Sequence, residues 1–386
     1  MNYSLTSSTF DKEEREAMIN VIDSDMFTMD KHVEDFEDRF AKYFGRKYAV
    51  MVNSGSSANL VAIASLFYRE NMPLKMGDEV IVPCISWATT FYPLHQYGLK
   101  LKFVDIDLET LNYDVDELKS AVTPNTKLIV AVSILGNPCY FDKITDICED
   151  NNIILFEDNC ESMGARFNGK YTGTFGLIGV FSTFYSHHIS TMEGGLITTD
   201  DYEICCLCKS LRNHGMTRGQ GDNSPIYERK QDDFYEAYRF ILPGYNVRPT
   251  ELNGAIGKEQ LKKLDSFLEM RRGNAKHFAY LFKDDERFII QKEVGESSWF
   301  SFTMIVKPES GLIRKDVLKK LRESDIDHRI ITGSNMLRHD VVKYFNYEVT
   351  KSTNADTAHD NGFFVGNHPV DIRDKIDYLY EVLRNV

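Results

Sequence analysis

Long apolar runs are missing from this 386-residue chain: nowhere do roughly 18 consecutive apolar residues occur, the length a membrane-spanning helix needs. No membrane association is expected. The opening Met1-Asn-Tyr-Ser-Leu5 has neither the basic nor the apolar segment of a secretory leader, so a cytoplasmic protein is expected. Basic charge is in deficit, with 45 Lys and Arg against 58 Asp and Glu and a net charge of −13. Nucleic acid is therefore not an expected partner, because a phosphate backbone needs a basic footprint. An anionic small substrate would need a local basic pocket. Prolines are few (10), and 42% hydrophobic with 27% charged residues is the composition of a folded globular protein without low-complexity segments. Seven cysteines without a leader make a disulfide framework unexpected. Cys205, Cys206 and Cys208 crowd together, but in an apolar helical pattern with no loop to wrap a metal or iron–sulfur cluster. They read as small buried hydrophobes, and no metal site is expected.

What is present is an alternation of strand and helix signals. Periodicity predicts helices over 10–23, with Thr9 as N-cap, and over 33–44. Strands are predicted over 48–52, 79–85, 101–106, 127–135, 153–158 and 196–199, with helices between them over 58–67, 87–97, 115–122 and 141–150. A helix over 202–213 and a polar loop or flap over 216–233 follow. Helical pattern then runs over 250–264 and 266–282, before a smaller mixed region with a strand over 299–306 and helices over 314–324 and 375–384. Continuous apolar strands separated by helices predict a parallel sheet covered on both faces, with ligands beyond the C-terminal strand ends. The length suits a large domain, 1–264, and a small C-terminal α+β domain, 265–386, with the long helix linking the two.

Several residues fall where such a sheet places chemistry. Asn53-Ser-Gly-Ser-Ser57 joins a strand to a helix start, where free N–H groups and the positive dipole end favour an anion. Glu157, Asp158 and Ser182 lie at strand ends. Trp87, one of two tryptophans, follows another and offers either core packing or a flat surface for a ring. The stretch Phe181 to Gly195 runs from a strand into a loop with two adjacent histidines, His187 and His188, and closes on Glu193-Gly194-Gly195.

Five ordered motifs carry a resemblance over nearly the whole chain: Ser54-Gly-Ser-Ser-Ala58, Ile81-Val-Pro-x-x-Ser-Trp87, Leu155-Phe-Glu-Asp158 with Gly164-Ala165, the Ser182/His187/Glu193 segment, and Gly244-Tyr-Asn-Val-Arg248. Together they resemble the nucleotide-sugar aminotransferases of the fold type I (aspartate aminotransferase-like) superfamily. That resemblance implies an α/β fold, with a three-layer α/β/α large domain and a smaller C-terminal α+β domain. In the family, a lysine six residues before the Glu-Gly-Gly binds pyridoxal 5′-phosphate (PLP). Here that position is His187. A histidine there resembles a small branch of PLP-dependent 3-dehydratases, as do the strings Met26-Phe-Thr-Met29, Glu157-Asp-Asn-Cys-Glu-Ser-Met-Gly164 and Tyr185-Ser-His-His188.

The resemblance implies a role for each matching position. Gly55, Ser56 and Ser182 would hold the cofactor phosphate, Trp87 would lie against the ring, Asp158 would pair with its nitrogen, and Glu161 would stand close by. Asn246 would reach the phosphate across the interface of a homodimer with shared active sites. Met26, Phe27, Thr28 and Met29 would border the sugar nucleotide, while His214, Arg218 and Arg248 would face the anionic substrate or the glutamate carboxylate. The implied activity is a lyase reaction of deoxysugar (colitose, O-antigen) biosynthesis. L-Glutamate converts noncovalent PLP to pyridoxamine phosphate (PMP), and the C3 hydroxyl of GDP-4-keto-6-deoxy-D-mannose is removed with release of ammonia and 2-oxoglutarate. A histidine cannot replace the lysine as covalent anchor, but with a pKa of about 6.5 it can shuttle protons. Spacing favours His187 as the base. In an extended segment neighbouring side chains diverge, which would leave His188 as support. Related dehydrases that use an iron–sulfur reductase also carry a histidine here; the lack of a loop-borne cysteine cluster points to chemistry without a reductase. Two other readings stay open: a GDP-sugar 4-aminotransferase of the perosamine-synthase type, and a silent relative that binds PLP or a nucleotide sugar.

Overall fold

The computed structural model describes residues 1–221 and 223–386. Helix α1 (Lys12–Asp23) is opened by Asp11, whose carboxylate accepts from Glu13 N–H at 3.1 Å, while Glu14 accepts from Asp11 N–H at 2.9 Å. Asp11 rather than Thr9 is thus the cap. Thr9 instead donates to Gln260 Oε1 at 2.7 Å. Helix α2 (Lys31–Phe44) ends on Gly45 at φ 71°, a backbone angle glycine adopts without a Cβ penalty. There follow β1 (Tyr48–Val52), α3 (Gly55–Tyr68), β2 (Glu79–Pro83), α4 (Ala88–Gln96), β3 (Lys100–Val104), α5 (Val115–Ala121), β4 (Thr126–Val132), α6 (Phe141–Asn151) and β5 (Ile154–Asp158). A small hairpin, β6 (Arg166–Phe167) and β7 (Lys170–Tyr171), precedes β8 (Ile178–Ser182), β9 (Gly195–Thr199) and α7 (Tyr202–Leu211).

These strands and β13 (Tyr347–Val349) form one sheet, ordered β1-β9-β8-β5-β4-β2-β3-β13. Its pairs are parallel except around β9, which runs antiparallel to both β1 and β8. The expectation of a wholly parallel sheet is corrected here. β8 and β9 pair from Ser182 opposite Gly195, and the chain between them carries no crossover helix, so it can only return antiparallel. Both faces are covered. Along β1, Val50 and Val52 join the core under α3, α4 and α7, while Ala49 and Met51 join the core under α2 and the long helix α9 (Glu251–Phe282). Cys205, Cys206 and Cys208 are buried on α7. Among the described residues, no helix is long and apolar enough to cross a membrane.

Past α8 (Asp233–Glu236), Thr250 and Asn253 cap α9 (Glu251–Phe282), one unbroken helix of 32 residues. Around its middle, Leu261, Leu264 and Leu268 pack against the large sheet; its last turns give Ala275, Phe278 and Phe282 to a second core. That core also holds Tyr3 and the antiparallel sheet of β10 (Phe288–Ile290), β11 (Ser301–Val306), β14 (Gly362–Gly366) and β12 (His328–Arg329), in that order. Helices α10 (Arg314–Glu323), α11 (Thr353–Asn361) and α12 (Arg373–Arg384) complete the chain. Phe278 and Phe302 stack there at 4.5 Å; each such buried side chain contributes about 1.5–3 kcal/mol by leaving water.

Candidate active site

Asp158 ends β5 beneath the starts of α3 and α4. Its Oδ2 accepts from Asn59 Nδ2 at 3.0 Å and from the Thr90 hydroxyl at 2.7 Å, and its Oδ1 accepts from Cys160 N–H at 3.2 Å. Three donors, from α3, α4 and the turn just after β5, fix the orientation of this buried carboxylate. Its neighbour Glu157, also placed at the strand end by sequence, faces the other side of the sheet and accepts from Gly173 and Gly176 N–H at 2.6 Å each. Glu157 is therefore a structural acid, as side-chain alternation along a strand requires.

At the start of α3, Ser54 Oγ accepts from Ser57 N–H at 3.0 Å, while the N–H groups of Gly55 and Ser56 stand outside the helical ladder. The Ser56 hydroxyl lies 3.0 Å from Thr89 Oγ1, in the first turn of α4. Glycine is required at two places here. A Cβ on Gly55 would stand 2.7 Å from Ser182 Cβ and 3.1 Å from Cys160 Sγ, and one on Gly195 would stand 2.4 Å from Ser54 O. Ser182 and the Glu193-Gly194-Gly195 turn thus close on the same helix start. Trp87 caps α4 and is 57% exposed, so it is a surface ring and not core filler.

Residues 183–194 turn repeatedly, and His187 N–H donates to Phe184 O at 2.9 Å, so the segment is not extended. The two histidines diverge for a different reason. His188 is fully buried, with Nε2 3.2 Å from Ser298 O. His187 is half-buried, held edge-on by Phe300 at 5.1 Å and Phe184 at 5.8 Å, and its Nδ1 has no hydrogen-bond partner. Burial, then the charge of Arg271, pushes the His187 pKa down to about 4, so the ring is neutral at pH 7. Glu161 accepts from Leu135 N–H at 3.1 Å and from the Thr332 hydroxyl at 2.6 Å. Burial pushes its carboxyl up to about 7, against those two bonds. Asn59, Thr90 and Thr332 were missed in the sequence; they carry no local motif and reach the site only through tertiary contacts.

The remaining predicted residues lie on a largely exposed strip, with Met26 to Met29, Asn246 and Arg248 near the start of α9 and His214 and Arg218 on the loop after α7. Glu251 caps α2, accepting from Asp30 and His32 N–H at 2.6 and 2.8 Å, and its own N–H donates to Phe27 O. This seats Met26, Phe27, Thr28 and Met29 beside Thr250. Arg248 Nε donates to Asn246 Oδ1 at 3.0 Å, His214 N–H donates to Tyr245 O at 2.7 Å, and Arg218 lies 4.9 Å over the Tyr238 ring. The strip joins the inner group through Asn53 N–H to Val247 O at 2.9 Å.

A family model, the DegT/DnrJ/EryC1/StrS aminotransferase family, matches residues 8–384. The chain belongs to that family. It is 54% identical to the GDP-4-keto-6-deoxy-D-mannose 3-dehydratase of Escherichia coli O55:H7 over the full length of both chains. Among solved structures, the E. coli enzyme with bound hydrated PLP matches with a TM-score of 0.98 and 54% identity, covering 99% of each chain. A GDP-4-keto-6-deoxymannose-3-dehydratase with a trapped PLP–glutamate adduct matches equally well, over 99% of this chain and 100% of that one. A third, at TM-score 0.96 and 53% identity over 98% and 100%, is a variant with a serine changed to asparagine and the histidine after it to lysine. Within this family the cofactor is PLP, and the inner group fits it: free N–H groups and hydroxyls around a glycine-lined helix start for a phosphate, a fixed carboxylate at the strand end, and an imidazole nitrogen without a partner.

Proposed function

We propose that this chain removes the C3 hydroxyl of GDP-4-keto-6-deoxy-D-mannose to give GDP-4-keto-3,6-dideoxy-D-mannose, with L-glutamate as reductant through the PLP/PMP pair. The observation that carries this is His187, a neutral imidazole with its Nδ1 unbonded, at the family's lysine position beside the Asp158 carboxylate and the Gly55–Ser56 helix start. The 54% identity to the E. coli dehydratase, over the full length of both chains, supports the choice of substrate. The serine–histidine pair changed in the solved variant has one counterpart in this sequence, Ser186-His187, which supports His187 over His188 as the base.

When bound, the cofactor ring accepts the electron pair left by proton removal. The chain supplies the rest. Gly55, Ser56 and Ser182 hold the phosphate, Trp87 bounds the ring, and Asp158, fixed by Asn59 and Thr90, faces its nitrogen. A histidine cannot anchor the cofactor covalently, so these contacts alone retain it. His187 accepts a proton on its imidazole. Its lowered pKa makes the protonated ring a better proton donor than an ordinary imidazolium, and it delivers that proton to the departing C3 oxygen. Arg248 keeps guanidinium donors beyond its Asn246 bond for an anionic substrate, and Met26 to Met29 border the sugar nucleotide. His214 and Arg218 stand on the same strip. Electrons and atoms balance: glutamate is oxidised to 2-oxoglutarate and ammonia, and the sugar loses one oxygen.

The strip belongs in this reading to a homodimer interface, with Asn246 reaching the phosphate of a second copy. Its exposed Phe27, Tyr238 and Phe240, at 47%, 67% and 62%, support that pairing. The test is to incubate the protein with PLP, L-glutamate and GDP-4-keto-6-deoxymannose, then measure ammonia and product mass. The expected product is lighter by one oxygen and free of nitrogen. A retained amino group would assign an aminotransferase, and no turnover would assign a binding protein.

A further inference from the structure

Glu161 sits where a tight bend from the C-terminal part of the chain crosses the ends of the large sheet. The bend, residues 331–336, is pinned from several directions. Ser334 N–H donates to Ile331 O at 2.6 Å, Met336 N–H donates to Cys84 O at 2.9 Å, and His339 Nε2 lies 2.8 Å from Gly333 O. Gly333 lies against Ser86 and Trp87, where a Cβ would stand 2.3 Å from Ser86 O. Thr332 and Ser334 have φ of 39° and 57°, and Leu135, which donates to Glu161 from the opposite side, has 51°. A β-branched residue is strongly disfavoured at such an angle, where glycine or asparagine would sit with less strain. The threonine has a visible use there, the 2.6 Å bond from its hydroxyl to Glu161 Oε1.

We infer that Thr332 is a positioning residue: its hydroxyl, held on a strained bend, clamps Glu161 in one orientation toward the cofactor side of the site. The inference rests on the proposed PLP-dependent function and on the placing of Glu161 beside the cofactor that the family resemblance implies. With Leu135 N–H on one oxygen and the Thr332 hydroxyl on the other, the carboxyl group cannot rotate freely, and both bonds favour its ionised form. Burial opposes them; Asp158 adds its negative charge on the same side, and the Cys160 thiol, beside both acids, is held neutral by burial and by their charge. Loss of the hydroxyl therefore frees the carboxyl group and moves its titration to higher pH.

The test measures PLP affinity of the full chain by equilibrium dialysis from pH 5.5 to 9, with the absorbance of bound PLP followed in parallel. Thr332→Val and Thr332→Gly should both raise the midpoint of the pH dependence by about one unit, the size expected for a lost bond to a charged group. Thr332→Ser should restore the wild-type midpoint. The glycine variant removes the backbone strain, so it folds even if valine is poorly tolerated. An unchanged midpoint in Val and Gly, or a wild-type profile in Gly alone, would overturn the clamp. Glu161→Gln separates the two layers. If it leaves affinity and pH dependence untouched, the placing of Glu161 fails and the inference falls with it; if it abolishes the pH dependence while Thr332→Val does not shift it, only the clamp fails.

Discussion

Gly55→Ala should weaken PLP binding by about 10- to 100-fold without unfolding the protein. The added Cβ would stand 2.7 Å from Ser182 Cβ, 3.0 Å from Ser182 Oγ and 3.1 Å from Cys160 Sγ, so the Ser182 end of β8 has to move away from the helix start. Overpacking of this kind costs about 1–3 kcal/mol. If that displacement falls on the hydroxyl and N–H groups proposed to hold the phosphate, each ~1.4 kcal/mol is tenfold in affinity. Helix propensity acts in the other direction and is smaller: alanine is favoured over glycine in a helix by about 0.5–1 kcal/mol. Gly273→Ala supplies the control, since a Cβ there, inside α9, meets nothing within 4 Å and should only stabilise. The assays are equilibrium dialysis against PLP and thermal melting. Adding Ser182→Gly to Gly55→Ala should recover the melting temperature but not the affinity, because it relieves the contact and removes the hydroxyl together. Wild-type PLP affinity in Gly55→Ala would refute the phosphate cradle.

Thr90→Val removes one of two donors on Asp158 Oδ2 and should cost about 1.5–3 kcal/mol, read as a lower melting temperature and weaker PLP binding, with recovery in Thr90→Ser. Acidification supplies another check. Burial lowers the His368 pKa to about 4 from an ordinary 6.5, so between those values the unfolded chain binds the proton that the folded chain refuses. The contribution of His368 is thus full above pH 6.5 and is lost as the pH falls toward 4, and His368→Gln should lose less stability than the wild type over that window in thermal scans.

Much of the site was legible because its residues sit at strand ends within local motifs. Tyr48–Val52, Asp158 and the Ser54–Ser57 turn lie where periodicity and turn chemistry place them. Other features leave little local trace. The apolar run predicted as a strand to 135 stops at Val132, because Leu135 bends into left-handed backbone to present its N–H to Glu161, and hydrophobicity alone does not register that change. β13 is exposed and three residues long, so it lacks the apolar signature that revealed its neighbours. The divergence of His187 and His188 was expected from strand geometry, yet it arises from a turn and from the Ser298 carbonyl, which only the folded chain brings close. Thr332 reaches Glu161 across 171 positions of sequence, a separation no motif encodes.

In the proposed reaction His187 is the base that stands where the family's covalent anchor would be. The direct measurement is His187→Lys, assayed for retention of PLP through denaturing mass spectrometry and for deoxygenation of GDP-4-keto-6-deoxymannose with glutamate. Covalently held PLP and loss of the deoxygenated product are expected. Undiminished deoxygenation by that variant would rule out His187 as the base.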